Sequence, residues 1–439
     1  MPHKIYKNQN QIDVRLQKRS FLFINYKQSG DLKSWNEKIA KYASSNPNII
    51  FAISLALSAP LLHLTNTENI GVHFIGPSSI GKTTLLNIAS SVWGNSIYNW
   101  RTTDNAAESI AELSNDGLLL FDELGQVDGC ALDQLSYMLG NGIGKLRSKR
   151  SGDAKEAKTF RLALLSSGES GISTKLKERG KTLKAGQSVR LLELPADSKY
   201  GIFDDLHNFK SGDEFAKYLK NQIKENTGVL IDIFLQKIIK NKDEIIKMIQ
   251  TFRKAWEKEV KTLYPNADGQ VQRVIGKFSF IASAGEIAIL LNLLPWKSLE
   301  VSNACKKILN NWINQRGGTL PQEIIEATKN LQEFLEEHGS SRFENPWNQE
   351  EKTINNRAGF RKLNECNIWE YYILPTSFNK IISNANKREV CEFWSERGIL
   401  KTDKSGKNSQ SIRIPGFGKK RMYYVNVQKL EISDINKQN

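Results

Sequence analysis

The chain has 439 residues, of which 39% are hydrophobic and 25% charged; that is too long for one compact core and too apolar for wholesale disorder, so two or three folded domains are expected. Its four cysteines, Cys130, Cys305, Cys366 and Cys391, are scattered with no CxxC pair, which excludes a disulfide scaffold, gives no zinc signature and suits free thiols in a reducing cytoplasm. The formal net charge of +15 favours a polyanionic partner, nucleic acid above all, because Lys and Arg release counterions from phosphates.

The N-terminus, MPHKIYKNQNQ, has no apolar core, so no secretory signal is expected. Residues 1–68 read as a helical segment carrying WNEKIAKYASS and IIFAISLALSAPLL. The apolar run Ile49–Leu62 is broken by Ser54, Ser58 and Pro60 and falls short of the ~20 residues of a bilayer span. It is expected to be a buried helix, with no membrane partner. Over residues 69–200, short apolar runs alternate with helical patterns, as in a layered α/β fold. The expected strands are IGVHFIG, SIYNW, GLLLFDE, TFRLALLSS and SVRLLELP, with helices near Lys82–Val92, Ala106–Leu113 and Ala131–Leu139. Residues 201–340 read as amphipathic helices near 212–225, 228–260, 270–291, 298–314 and 321–337. After a linker, GSSRFENPWNQEE, residues 355–428 pass from helices to short strands, with KREVCEFWSERG the clearest helix. Helices followed by a basic hairpin suggest a winged helix.

The chemistry concentrates in VHFIGPSSIGKTTLLNIA, an apolar strand, a glycine-rich loop and a helix. Gly76, Pro77, Ser78, Ser79, Ile80, Gly81, Lys82, Thr83 and Thr84 satisfy and extend G-x-x-x-x-G-K-[ST]. The glycines let backbone N–H groups curl around a phosphate at a positive helix N-terminus. Lys82 would reach the β- and γ-phosphates of ATP, and Thr83 would offer its hydroxyl to Mg²⁺. About 40 residues on, LLLFDE ends a buried strand in two carboxylates. Asp122 is expected to hold Mg²⁺ together with Thr83, and Glu123 to orient or deprotonate the attacking water. Downstream, TFRLALLSSGE ends in Ser166 and Ser167, either of which could sense the γ-phosphate. Arg190, just before the last strand, suits an arginine that reaches a neighbouring subunit's phosphate, with Arg179 its rival.

The strings SSIGKTTLLNIASSVWGN, LLLFDELGQVD, NGIGKLR, LLSSGE and KAGQSVR, extended by RVIGKFSFIASAGEIA and RIPGFGKKRMYYV, resemble the phage and mobile-element family called domain of unknown function nine-two-seven. That family is similar to the minichromosome maintenance helicases within the AAA+ class. The resemblance implies an α/β AAA+ P-loop core with a helical lid and a C-terminal winged-helix domain. It further implies an ATP-dependent replicative helicase of mobile DNA working as a hexameric ring. A switch-like AAA+ initiator or helicase loader is the alternative. Under the resemblance Lys82, Thr83, Asp122 and Glu123 take the ATPase roles. Arg190 matches the finger arginine, and Arg273 matches a second sensor arginine borne on the lid.

DNA would meet two basic segments. In GIGKLRSKRSGDAKEAKTFRLALL, Lys145, Arg147 and Lys149 alternate at period two, so one strand would put all three on one face of a pore hairpin. Near the C-terminus Lys404, Lys407, Lys419, Lys420 and Arg421 would grip phosphates, and one of Tyr423 and Tyr424 could stack on bases. Trp93, Trp100 and Trp296 are expected in the core.

Overall fold

The computed structural model describes residues 26–124, 129–145, 147–148, 154–155, 157–178, 180, 185–348, 354–383 and 385–430. The chain divides into two compact units. The first comprises residues up to Leu263 together with Gln270–Gln315, and the second comprises Tyr264–Gly269 and the chain from Arg316 onward.

The first unit begins with α1 (Leu32–Lys38) and α2 (Pro47–Leu64), followed by β1 (Ile70–Ile75), α3 (Lys82–Trp93), β2 (Tyr98–Asn99), α4 (Asp104–Leu113), β3 (Leu118–Asp122) and α5 (Gly129–Asn141). A small antiparallel pair, β4 (Arg147–Ser148) and β5 (Ala154–Lys155), precedes β6 (Ala163–Gly168), α6 (Ile172–Lys177), α7 (Ala185–Ser188) and β7 (Leu191–Pro195). Then come α8 (Gly212–Glu225), α9 (Val229–Lys240), α10 (Lys242–Leu263), α11 (Gly269–Leu290) and α12 (Glu300–Arg316).

The five strands expected over 69–200 form one parallel sheet in the order β2-β3-β6-β1-β7. Their near-continuous apolar runs are what a parallel sheet covered on both faces requires. The α2 helix is long and apolar enough to cross a membrane by composition, yet 83% of it is buried inside the protein. It packs on α3, the helix that follows the glycine-rich loop. Trp93, Trp100 and Trp296 are all buried. The single helix expected over 228–260 is two helices, because Asn241 ends α9 and α10 starts at the next residue.

The second unit contains α13 (Gln322–His338), β8 (Phe343–Glu344), β9 (Gly359–Leu363), β10 (Trp369–Ile373), α14 (Pro375–Ile382), α15 (Lys387–Glu396), β11 (Leu400–Lys401), β12 (Gln410–Ile414) and β13 (Gly418–Asn426). Here the sequence reading needs correction in two places. The boundary falls near residue 316 rather than 340, because Ile324, Ala327, Leu331 and Leu335 of α13 belong to the core formed with Phe378, Trp394 and Tyr423. Strands β9 and β10 also come before α14 and α15, joined by a turn in which the Asn364 carboxamide oxygen accepts from the N–H groups of Cys366 and Ile368. The result is a mixed sheet ordered β11-β13-β10-β9-β8, with β12 on β13.

Candidate functional site: a cleft at the sheet's C-terminal end

Strand β1 ends at Ile75, and the chain turns through residues 76–81 into α3. Ser79 and Gly81 take positive φ of 64° and 99° in that turn, so successive N–H groups point inward at the helix N-terminus, the arrangement that attracts anions. The loop is braced from outside. The Ile202 N–H donates to the Ile80 carbonyl (2.9 Å), and the Asn48 carboxamide donates to the Ile202 carbonyl (3.1 Å). Lys82 is 9% exposed and its ammonium donates to the carbonyls of Gly76 (2.7 Å) and Pro77 (2.5 Å). Burial lowers its pKa, against the carboxylates of Glu169 and Asp122. A poorly solvated ammonium held only by carbonyls is well placed to exchange them for phosphate oxygens.

The parallel register carries β3 and β6 to the same end of the sheet. The Thr83 hydroxyl donates to Asp122 Oδ2 (2.8 Å), while Asp122 Oδ1 accepts from the Glu123 N–H (3.0 Å) and from the Ser167 hydroxyl. Ser166 points the other way, with its hydroxyl 2.8 Å from His73 Nδ1. Of the two serines left open by the sequence, Ser167 is therefore the one at the cleft. Glu123 sits at a φ of 59°, a sparsely populated conformation for a residue other than glycine, of the kind that gathers at functional sites. Its carboxylate accepts from the Asn99 carboxamide (2.9 Å). Asp122, Glu123 and Ser167 line a cleft of about 860 Å³ with Ser78–Thr84, Glu169 and, on the far wall, Tyr200, Asp213, Lys217 and Lys220.

Sequence reading missed Asn99, Glu169 and the far wall. Asn99 had a signal: it is the last residue of a short strand beside β3, in register with Asp122. The contribution of α8 had none, since its pattern reads only as an amphipathic helix. Thr83 and Asp122 form an all-oxygen donor pair, the chemistry a hard cation such as Mg²⁺ prefers. Among the described residues no cluster of three His, Cys, Asp or Glu is gathered.

Residues 1–159 match the family described as Domain of unknown function (DUF927). The matched stretch contains the glycine-rich loop, Asp122, Glu123 and Asn99. Among the solved structures, 135 chains match significantly. One is "SCCmec type IV Cch - active helicase", with a TM-score of 0.67 and 17% identity, covering 93% of this chain and 72% of that one. At that identity the likeness establishes a common fold, consistent with a P-loop core. No curated protein sequence matches significantly.

The two remaining arginines lie away from this cleft. The Arg190 carbonyl accepts from the Gly71 N–H (3.1 Å) at the start of β1, and its guanidinium donates to the Gly186 carbonyl (3.1 Å). It lines a second cleft, of about 1200 Å³, with Tyr137, Ile143, Lys145 and Arg161. Tyr137 and Ile143 are 58% and 53% exposed there. Arg273 is exposed on α11 and does not line the glycine-loop cleft. One turn on, the Lys277 ammonium donates to the carbonyls of Asn69 (3.2 Å) and Arg190 (3.3 Å), and burial pushes its pKa down to about 8. Arg179 lies outside the described residues.

The basic segments are also rearranged. Lys145 is not on a strand: β4 begins at Arg147, and the Lys145 ammonium pairs with Asp104 on α4 (2.6 Å) and with Gln134 (3.3 Å). The three-residue strand face is thus not formed, because Lys145 is drawn to an acidic partner at the start of α4. Lys149 lies outside the described residues. In the second unit Lys404, Lys407, Lys419, Lys420 and Arg421 are all exposed. Tyr423 is buried and stacked on Phe378 at 3.7 Å. Tyr424 faces the other side, half-buried, and accepts from the Lys401 ammonium (2.7 Å).

Proposed function

We propose that this chain is an ATP-dependent DNA helicase or translocase of a mobile genetic element or phage, built on an AAA+ core and acting in replication as a hexameric ring. The observation that carries the reading is the convergence of Lys82, Thr83, Asp122, Glu123 and Ser167 on one cleft at the end of a parallel sheet. The sheet order supports the AAA+ assignment, since it places a strand between the loop strand and the acidic strand and ends that strand in a polar residue facing Asp122. The helicase named among the structural neighbours favours nucleic acid as the partner, as does the net charge of +15.

In this reading the ATP phosphates enter the 76–83 loop, and Lys82 leaves the Gly76 and Pro77 carbonyls for the β/γ-oxygens. Thr83 and Asp122 would hold Mg²⁺, which supplies charge neutralisation on the phosphates. Glu123 takes a proton from the attacking water, with Asn99 fixing the orientation of its carboxylate. Ser167 couples the end of β6 to Asp122 and so reports the state of the phosphate site. Helices α8–α12 take the part of the lid, and the second unit, read as a winged helix, contributes DNA contacts.

The deciding experiment measures ATPase activity with and without single-stranded DNA, alongside strand displacement on a forked duplex. Lys82→Ala should abolish hydrolysis, and Glu123→Gln should bind ATP yet lose turnover by at least about a hundredfold. Near-wild-type turnover in both variants would overturn the ATPase reading. DNA-stimulated hydrolysis without strand displacement would instead indicate an initiator or loader that uses ATP as a switch.

A further inference from the structure

One residue behind the cleft, a second row of side chains crosses the same four strands. Registers place Phe121 beside Ser166, Ser166 beside His73, and His73 beside Glu193. In the row ahead of it stand Ser167 and Phe74, with Asp122 next along β3. Parallel neighbours share a face and successive residues alternate, so the rear row lies on the opposite face from Ser167. Its polar members are deeply placed: His73 and Ser166 are both fully buried.

The hydrogen bonds of His73 fix its tautomer. Nε2 faces the Ser170 carbonyl (3.2 Å), and a carbonyl can only accept, so Nε2 carries the proton. Nδ1 is then a bare acceptor and receives the Ser166 hydroxyl at 2.8 Å. A neutral imidazole therefore ties together both ends of the segment 166–170. Next to it, Glu193 accepts from the N–H and hydroxyl of Ser173 (2.9 and 2.7 Å), which anchors the first turn of α6.

Two glycines make room for these anchors. A Cβ on Gly168 would lie 3.0 Å from His73 Cε1 and 2.9 Å from the Leu124 Cβ, and a Cβ on Gly171 would meet the Glu193 carboxylate at 2.8 Å. The string SSGESG thus has a physical reading at every position. Ser166 is held by His73 and Ser167 by Asp122; Gly168 admits the imidazole. Glu169 enters the cleft near Lys82, the Ser170 carbonyl is fixed, and Gly171 admits Glu193.

We propose that His73 is a positioning residue for nucleotide hydrolysis, holding residues 166–170 from behind so that Ser167 meets Asp122 and Glu169 stands at the cleft. The inference rests on the hydrolysis reading above and adds a group whose side-chain hydrogen bonds go to Ser166 and Ser170. His73 lies on the strand leading to the loop but makes no side-chain hydrogen bond to residues 76–83. Its loss should therefore spare binding and damage turnover, since misplacement of a catalytic constellation by about 1 Å costs up to a hundredfold.

The test compares His73→Phe, His73→Gln and Ser166→Ala with the wild-type protein in ATPase kinetics, fluorescent-nucleotide binding and thermal unfolding. A folded His73→Phe should bind nucleotide within about twofold of wild type and lose at least about tenfold in kcat. His73→Gln keeps a donor for the Ser170 carbonyl and should recover most of that loss. Ser166→Ala should lower kcat several-fold at unchanged affinity. Wild-type kcat in a folded His73→Phe overturns the inference. So does a parallel fall of affinity, kcat and unfolding temperature that His73→Gln fails to separate. Should His73→Phe not fold, Ser166→Ala decides, and an unchanged kcat there rejects the role. A wild-type protein that neither binds nor hydrolyses ATP is a different result, removing the hydrolysis reading and this inference together.

Discussion

Ser166 and Ser167 show what a single residue's position can and cannot reveal from sequence. Both are polar residues at the end of an apolar run, and either could face a phosphate. Only the register of β6 against β1 and β3 decides, sending one hydroxyl to His73 and the other to Asp122. The loop and the DE pair were legible because their chemistry demands fixed spacing; His73 was not, since a lone histidine in an apolar strand reads as core. Its burial has a consequence that can be measured. Burial is the largest influence on its pKa and lowers it from 6.5; Lys82 acts in the same direction, while Glu193, the Ser170 carbonyl and Asp122 act against it. In the unfolded chain the imidazole protonates near 6.5, whereas in the folded protein it stays neutral to lower pH. Between those two values the unfolded state binds more protons, so this contribution to stability is complete above 6.5 and is lost as pH falls below it. The slope should approach about 1.4 kcal/mol per pH unit in that window. Calorimetric unfolding at about pH 7.5 and 5.5 checks this, with His73→Gln expected to lose less stability than the wild-type protein on acidification. An equal loss in both would show that other groups carry the acid sensitivity.

At the level of elements, the sequence pattern was most informative where strands are buried on both faces. Five apolar runs gave five parallel strands, because no polar alternation blurs such segments. It was weaker in the second unit, where GFRKL and WEYYI put the successive charges Arg361 and Lys362 on opposite faces of a mixed sheet, so no clean apolar alternation marks the strands. It also joined α9 to α10, since the amphipathic stripe continues across Asn241. The basic residues are where structure adds most. Lys145 is compensated by Asp104, so its contribution to nucleic-acid binding should be small. On the β12–β13 hairpin the register pairs Arg413 with Lys419 and Ser411 with Arg421, while Lys420 lies opposite Ile412. Arg413, Lys419 and Arg421 therefore share one face, and Lys420 projects from the other, the side of Ile414 and Met422. Replacing Arg413, Lys419 and Arg421 together with Ala should weaken binding to single-stranded DNA and reduce its salt slope by about 2, at about 0.7 per phosphate contact. Lys420→Ala alone should leave the slope nearly unchanged. Binding isotherms across a series of salt concentrations separate the two outcomes; an unaltered slope in the triple variant would place the DNA elsewhere.

For the whole molecule, the position of Arg190 bears on whether one chain can complete the catalytic site. Its carbonyl pairs with Gly71 at the start of β1, whereas the phosphate loop leaves the same strand after Ile75. Four steps of a strand at about 3.3 Å each separate those ends by roughly 13 Å, with the sheet itself between them. The guanidinium is held at the Gly186 carbonyl and lines the second cleft, with exposed Tyr137 and Ile143. Arg273 is exposed on α11, one turn before Lys277, which donates to the Arg190 carbonyl. Neither arginine lines the glycine-loop cleft of its own chain. If Arg190 completes the site of the next subunit, Arg190→Ala should leave ATP binding intact and reduce kcat by on the order of a thousandfold. In mixtures, each variant subunit would then silence the wild-type site beside it. Activity should consequently fall faster than the wild-type fraction, and wild-type protein should assemble in the presence of ATP analogue and DNA. Light scattering and a mixing titration measure these outcomes. A monomer with full activity, or activity strictly proportional to the wild-type fraction, would mean that Arg190 serves its own chain's structure and that the catalytic site is complete without a neighbour.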